Sequence, residues 1–318
     1  MTVSKIQVII LFASAAVAIS TNCPPSEDTW PCSCHDKQVD ADITLYCSDR
    51  DTNLGQLKKA LNTLKTKRNV GVELEEVKLG RVPFDFFKGI DIKYLHLSHC
   101  DLDTLADGGG KPLTGLEDSL EELVISSSFT EDNVPAKLVV SHLRTLRELD
   151  LTNNIITNLD NDWFKNAPSS LRRLSITNNG IQKVGDRAFS DISNLEYLSL
   201  SGNRFGTLAR SMLPNPANEL DTLELDNNAL RSLPDNFFNN IPYLKVVSLS
   251  SNGINKLPEK VWRPVWNKLD DIDLRRNPLD CDSHMNWMLQ VPTCADISAT
   301  CMSPRQKFRK NIPFVKCT

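Results

Sequence analysis

Apolar residues recur along the middle of the chain with the spacing LxxLxLxxNxL, and the clearest copies begin every 24 or 25 residues. A fixed period of this length predicts a solenoid, in which each copy stacks on the next. Apolar and polar residues alternate within each copy, which predicts a short strand with one face in the core. The clearest copies are Leu146, Leu149, Leu151, Asn154, Ile156; Leu171, Leu174, Ile176, Asn179, Ile181; Leu195, Leu198, Leu200, Asn203, Phe205; Leu220, Leu223, Leu225, Asn228, Leu230; Leu244, Val247, Leu249, Asn252, Ile254; and Leu269, Ile272, Leu274, Asn277, Leu279.

An asparagine stands in each of these copies at the point where the strand should turn away. Its amide can donate and accept hydrogen bonds, so it can satisfy backbone groups that the turn leaves inside the solenoid. A second apolar row should close the outer side. That row is Leu159 and Phe164, Val184 and Phe189, Leu208 and Leu213, Leu233 and Phe238, and Leu257 and Trp262.

Weaker copies extend the array toward the N-terminus. They are Leu120, Leu123, Ile125, Ser128; Ile92, Leu95, Leu97, Cys100, Leu102; and a first copy at Leu74, Val77, Leu79, which begins only 18 residues before the next one. Cys100 stands at the asparagine position, which favours a buried, free structural thiol over a reactive one. Two irregular inserts, around 107–113 and 127–144, should bulge from the solenoid as mobile loops.

The two ends of the chain carry different signals. Residues 1–20 hold an apolar run from Ile6 to Ala18 after Lys5, as in a cleaved signal peptide. No later apolar stretch is long enough for a membrane helix, so we expect a secreted protein that is free in solution. Eight of the nine cysteines form two groups, residues 23–47 and 281–317, which predicts two disulfide-stapled modules.

With these repeats and cysteine groups, the chain resembles extracellular leucine-rich-repeat proteins with cysteine-rich caps. The resemblance implies an α/β fold: a curved horseshoe with a concave parallel sheet, capped at both ends by disulfides. The predicted parts are a cap at 21–70 with a helix-like segment from Leu54 to Leu64, about eight or nine repeats at 71–279, and a second cap at 280–318.

Cap cysteines in this family imply specific pairings. They imply Cys23–Cys34 and Cys32–Cys47 in the first cap, and Cys281–Cys301 in the second. Ser283 stands where the family has a cysteine, so Cys294 becomes the substitute partner of Cys317.

The short leader, the early CPPSEDTWPCSC cap and the helix-like segment are also similar to a group of secreted arthropod proteins. That group includes the non-catalytic subunit of Oplophorus-luciferin 2-monooxygenase. This narrower resemblance implies a companion protein, with no activity in this chain itself.

Polar residues that alternate with the core leucines should line the concave face. Those singled out as partner-binding are Tyr94, Glu148, Asp150, Arg173, Tyr197, Glu224, Asp226, Asp271 and Asp273, with the two tyrosines as anchors. The carboxylates favour a cationic or hydrogen-bonding partner. The alternative is a merely solvated strand surface, which needs polar residues in any case.

The charge of the chain argues against nucleic-acid binding and leaves one local basic run to explain. A net charge of −4 gives no basic excess for general nucleic-acid binding. Basic residues at Arg305, Lys307, Arg309 and Lys310 could contact a heparin-like glycan or an acidic lipid surface, or form a solvated cap loop.

Three arrangements could carry chemistry, and we discount each. Asp271 and Asp273 lie about 6–7 Å apart on one strand, near a glycosidase spacing, but an open sheet encloses no sugar ring. The segment His96–Cys100 resembles a zinc site, yet the register turns His96 toward water and Cys100 toward the core. Residues 108–110 lack the Lys-Ser/Thr of a phosphate loop and are predicted to form a flexible loop.

The sequence therefore predicts a secreted, non-enzymatic binding module without metal or cofactor, which holds a protein partner on its concave face. The narrower resemblance implies a secreted enzyme as that partner. Two alternatives stay open: a recognition or inhibitory protein of defence or venom, and a structural protein that binds a matrix or cuticle polymer.

Overall fold

One twelve-stranded sheet organises the protein, which we describe from a computed structural model over residues 22–38, 40–129, 138–302 and 309–311. The strands in chain order are β1 (Ser33–Gln38), β2 (Ala41–Cys47), β3 (Val70–Glu75), β4 (Gly80–Pro83), β5 (Ile92–Ser98), β6 (Leu102–Asp107), β7 (Glu122–Ser126), β8 (Glu148–Asp150), β9 (Asn158–Leu159), β10 (Arg173–Ser175), β11 (Lys183–Val184), β12 (Tyr197–Ser199), β13 (Thr222–Glu224), β14 (Val246–Ser248), β15 (Asp271–Asp273), β16 (Asp296–Ser298), β17 (Thr300–Met302) and β18 (Arg309–Asn311). The sheet order is β1-β2-β3-β5-β7-β8-β10-β12-β13-β14-β15-β16.

Strands β1 and β2 pair antiparallel, and every later pair in this sheet is parallel. Three two-stranded sheets lie apart from it: β4 with β6, β9 with β11, and β17 with β18. The chain is thus a solenoid that adds one strand to the same sheet at each repeat, as predicted.

Helices in the described residues are few and short. They are α1 (Ser26–Thr29), α2 (Leu54–Asn62), α3 (Glu259–Trp262), and two 3₁₀ segments at Arg210–Met212 and Ser283–Leu289. The side chain of Asn53 accepts the Gln56 N–H, and Gln56 accepts the Asn53 N–H in return, which fixes the start of α2. This helix lies within the predicted helix-like segment. Within the described residues, no helix is long and apolar enough to cross a membrane.

The register of the first repeat differs from the prediction. Val72 pairs with Leu95 and Leu74 with Leu97, so Leu74 is the third apolar residue of its repeat and not the first. The interval to the next repeat is 23 residues, from Val72 to Leu95, instead of 18. A template of leucines missed this register because β-branched Val72 fills a core position.

The predicted apolar rows form one continuous core. Leucine and isoleucine positions of the strands are buried, and on the outer side Phe164 packs on Phe189 with ring centroids 5.7 Å apart. Further along, Phe238 contacts Trp262 at 5.2 Å. Val184, Leu208 and Leu233 are only partly buried, so the outer row is less completely closed than the strand row.

Arg210 lies buried on the outer side between those aromatic pairs. Its guanidinium donates to the carbonyls of Asn239 at 2.7 Å and Pro214 at 2.9 Å. Burial lowers its pKa. The backbone carbonyls replace the water that this cation loses, and they join two successive repeats.

The asparagines form a ladder that links each repeat to the one before it. Asn203 donates from Nδ2 to the carbonyls of Ile176 and Leu200, both at 2.8 Å, and its Oδ1 accepts the N–H of Asn179 at 3.2 Å. Asn228, Asn252 and Asn277 repeat this pattern. Each amide therefore satisfies backbone groups of two repeats, as the sequence pattern predicted.

Two other residues take the asparagine position nearer the N-terminus. The Cys100 Sγ–H donates to the Leu74 carbonyl at 3.3 Å, and Ser128 donates to Leu97 at 3.1 Å. Ser128 also accepts the Cys100 N–H at 3.0 Å. Both give the ladder fewer donors than an amide does. The burial predicted for Cys100 is confirmed at 1% exposure.

Disulfides close both ends. Cys23 is joined to Cys34, Cys32 to Cys47, and Cys281 to Cys301, which are the pairs that the resemblance implied. Cys294 is also disulfide-bonded, and its implied partner Cys317 lies outside the described residues. The signal peptide, Arg305, Lys307 and residues 130–137 of the second insert lie outside them too.

The insert at 107–113 packs onto the solenoid. Arg81 donates to Asp107 at 2.7 Å, and Gly110 lies against Phe84, whose ring stands 2.3 Å from where a Cβ would be. Only glycine leaves room for that contact. Gly110 therefore serves packing.

Replacing Asn228 by Ala should lower the free energy of unfolding by about 2–3 kcal/mol, because the Leu200 and Asp226 carbonyls and the Asn203 N–H lose their partner inside the core. Chemical denaturation measures this. The matched control is exposed Asn267→Ala, which should change stability by less than about 0.5 kcal/mol. Equal effects of the two changes would contradict the ladder.

Candidate binding surface

The concave face is built from columns of side chains that run across the strands. Parallel register places Glu122, Glu148 and Arg173 in one column, which continues through Tyr197 to Asp271. Neighbouring strands lie about 4.8 Å apart, so adjacent members of a column contact each other. The surface is one array, and the orientation of each charged side chain depends on the side chains beside it.

A connected network ties the middle of this array together. Glu148 contacts Arg173 at 3.3 Å, the Arg173 guanidinium stacks on the ring of Tyr197 at 4.4 Å, and the Tyr197 hydroxyl donates to Glu224 at 2.7 Å. Burial, followed by the Glu224 contact, raises the pKa of Tyr197 to about 12. These four predicted residues hold one another in fixed orientations and present a rigid, mostly neutralised surface.

His96 and Glu122 form a separate pair on the next strands. Their side chains meet at 2.7 Å, and the His96 contact lowers the pKa of the Glu122 carboxyl. His96 is partly exposed while Cys100 points into the core, as predicted.

Tyr94 does not offer the exposed ring that was expected. Only 6% of it is exposed, and its hydroxyl contacts Thr44 at 2.6 Å and donates to Glu73 at 3.2 Å. The ring lies over Gly71, where a Cβ would stand 2.1 Å from it. The missing side chain at Gly71 lets Tyr94 fold against the sheet, so it anchors the first cap to the repeats.

Two of the predicted carboxylates, Asp226 and Asp150, already accept hydrogen bonds from hydroxyl and backbone groups. Asp226 accepts the Ser248 hydroxyl at 2.6 Å and the Ser250 N–H at 2.5 Å. Asp150 accepts the Thr152 N–H at 2.7 Å. These oxygens hold neighbouring strands and turns together, so they have less capacity for a partner.

Asp273 is bound by Arg275, which lies two residues further along the chain. The guanidinium donates to Oδ1 at 3.0 Å and to Oδ2 at 2.6 Å, and these contacts hold the pKa of Asp273 below its usual range. With both oxygens bound by Arg275, Asp273 is poorly placed to act as a nucleophile or base with Asp271.

Asp271 is less well compensated by Arg275 than Asp273 is. It is exposed and lies directly across from Asp296 on the neighbouring strand. Partial burial raises its pKa, and the Asp296 and Asp273 carboxylates raise it further. Like charges on adjacent strands repel, so a cation bound here would relieve an existing strain.

A cavity of about 250 Å³ opens beside the network, toward the start of the strands. Its walls include charged residues that each stand directly before a concave position and that the sequence prediction missed: Lys93, Glu121, Arg147, Arg172 and Glu196. Arg172 pairs with Glu196 at 2.8 Å. The signal was available, since each is a charged residue directly before a predicted concave position.

Metal ligation has no geometric support in the part of the chain described. No group of three or more His, Cys, Asp or Glu residues there could hold an ion.

Comparison with known proteins agrees with this architecture. Residues 144–207 and 218–279 match the family model described as Leucine rich repeat. The fold is a leucine-rich-repeat solenoid. No curated protein sequence matches the chain significantly.

Among solved structures, the leucine-rich-repeat fold recurs in a chain of an octameric complex of Latrophilin 3 (Lec, Olf), Unc5D (Ig, Ig2, TSP1) and FLRT2 (LRR). The alignment covers 82% of this chain and 85% of that chain, at 19% identity and a TM-score of 0.58. At this identity the likeness concerns the leucine-rich-repeat fold alone.

The buried thiol of this leucine-rich-repeat core should resist alkylation. Burial raises the pKa of Cys100 to about 11, so at pH 8 only about one thiol in a thousand is ionised. Iodoacetamide should label Cys100 only after unfolding in guanidinium, as mass spectrometry would show. Labelling of the native protein within minutes would contradict the assignment, and Cys100→Ser controls for other sites.

Proposed function

We propose that this protein is a secreted, non-enzymatic module that binds a protein partner through its concave face. The acidic side chains of that face contact positively charged side chains of the partner. The observation that carries the proposal is the charge of that face. Between β5 and the end of β16, the described residues of this face include more carboxylates than guanidinium groups. The carboxylates are Glu122, Glu148, Asp150, Glu224, Asp226, Asp271, Asp273 and Asp296, and the guanidinium groups are Arg173 and Arg275.

The shape of the face supports a macromolecular partner. Nine parallel strands from β5 to β16 give a surface about 40 Å long at the usual strand spacing. A surface of this length exceeds what a metabolite contacts and suits a folded domain or an extended segment. The similar chain described above comes from a complex of several proteins, which agrees with a protein partner.

Within the face, we assign the partner's cation to the end that contains Asp271 and Asp296. The other predicted acids are bound by hydroxyls, backbone N–H groups or arginines of the protein itself. The pKa of Asp271 is raised, because partial burial and the Asp296 and Asp273 carboxylates outweigh the opposing effect of Arg275. Charge complementarity of this kind sets specificity and association rate.

Three disulfides among the described cysteines support the secreted location, because such bonds persist in oxidising compartments. The apolar leader at residues 1–20 supports it as well.

A secreted enzyme as the partner, as in a luciferase-like monooxygenase complex, rests on the layout of the sequence alone and stays a prediction. Recognition or inhibition in defence or venom, and binding of a matrix polymer, are the alternatives that the experiment below separates.

Charge reversal at Asp271 should abolish most partner binding without harming the fold. Asp271→Lys removes repulsion from Asp296 and Asp273, so the free energy of unfolding should stay within about 0.5 kcal/mol or rise. Capture of the partner from the protein's native secretion, quantified by mass spectrometry, should fall roughly tenfold or more.

The matched control is Asp186→Lys, which makes the same charge change at an exposed residue that follows β11 in the separate β9–β11 sheet. It should capture the partner as the unchanged protein does. If no stoichiometric protein is captured, or if Asp271→Lys captures the same set, the concave protein-binding proposal fails and a polymer-binding role gains.

A further inference from the structure

We propose that the groove beside the end of α2 binds an acidic polysaccharide, one whose sugar units carry spaced carboxylates or sulfates among free hydroxyls. The groove lies where the connections leading into β3, β5 and β7 run side by side. Its volume of about 510 Å³ falls within the roughly 300–1,000 Å³ of small-ligand sites. None of its lining residues belongs to the concave face, so this site is independent of the protein-binding proposal.

Positive charge is concentrated at one wall. The segment from Lys58 to Arg68 reads KKALNTLKTKR, a basic run of the kind that recognises anionic polymers. Lys65, Lys67 and Arg68 line the groove. Within the described part of the chain, neither Lys65 nor Lys67 forms an ion pair. Burial lowers the pKa of Lys58, and the nearby positive charge of Lys65 lowers it further.

Glycines keep the floor of the groove open. Gly89 has φ +88°, and the Lys65 Cε lies 3.9 Å from where its Cβ would be. Gly115 has φ +101°, and the Lys88 Cγ lies 2.8 Å from the corresponding point. Gly115 leaves room for the start of the Lys88 side chain, and both glycines line the groove together with Lys65.

The carboxylates in the same groove decide which polyanion fits. Asp91 contacts Arg68 at 3.4 Å, Asp118 is bound by Arg144, and Glu117 accepts the Gly115 N–H at 2.8 Å. A carboxylate has more acceptor sites than these contacts use, so it can still accept from a sugar hydroxyl. The same groups repel a polymer as densely charged as a nucleic acid.

The hydroxyls of Thr66 and Ser119 also line the groove and add donors and acceptors. An acidic sugar polymer carries spaced anionic groups and hydroxyls. The ammonium groups of the groove can bind the anions, and its carboxylates can accept from the hydroxyls. The sugar–phosphate backbone of DNA offers only the first.

Isothermal titration calorimetry with the mature protein tests the proposal. The probes are a hyaluronan hexasaccharide, neutral chitohexaose and a twelve-residue single-stranded oligothymidylate. The hyaluronan hexasaccharide should bind, more tightly than either of the other two. Lys65→Ala combined with Lys67→Ala should weaken that binding roughly tenfold or more, because two charge-assisted contacts are lost.

The matched control is Lys183→Ala with Lys256→Ala, two exposed lysines elsewhere on the chain whose loss should leave affinity unchanged. Circular dichroism would confirm that both variants fold. Three results would overturn the proposal: no hyaluronan binding, tighter binding of the oligothymidylate, or equal weakening by both lysine pairs. Failure here leaves the concave-face proposal standing, because no groove residue lies on that face. If hyaluronan does bind, Asp271→Lys should bind it as the unchanged protein does.

Discussion

The solenoid depends on one constraint, which is that the backbone turning inward after each strand must find hydrogen-bond partners away from water. The asparagine amide meets this need in both directions. Asn203 donates to carbonyls of its own and the previous repeat and accepts an N–H from the previous repeat. Stacking is therefore enforced by polar groups as much as by leucines, because an isolated repeat would leave the amide and its partners unpaired. Where Cys100 and Ser128 replace the amide, one weak donor and one hydroxyl do part of the same work.

Because the asparagines and leucines close the core, the concave residues have no part in closing it. Many of them nevertheless contact one another. Glu148, Arg173 and Tyr197 hold each other, and Asp226 binds the hydroxyl and backbone of the next repeat. Such contacts are partly exposed, so each adds little stability alone. Their larger effect is orientation, since they present a rigid surface that loses little entropy when a partner binds.

The repeat, its asparagines, both rows of the core and the free thiol were predictable because each follows from a period that the sequence shows directly. The finer structure was not. Tyr94 occupies a concave position by register, but a glycine one strand away, at Gly71, lets its ring lie down. Asp273 and Asp271 look alike in sequence, but Arg275 binds Asp273 whereas Asp271 faces Asp296 on the next strand. The exposure and charge environment of a concave side chain depend on residues of neighbouring strands. The sequence pattern of a single repeat does not show them.

That distinction between compensated and uncompensated charge decides where affinity can arise. A carboxylate already held by an arginine gives up that contact when a partner's cation arrives, so the net gain is small. Asp271 and Asp296 face each other across neighbouring strands, and folding has placed them there despite their repulsion. A cation between them gains attraction from both and removes the repulsion, which makes this end of the sheet the part of the concave face best suited to recognise positive charge.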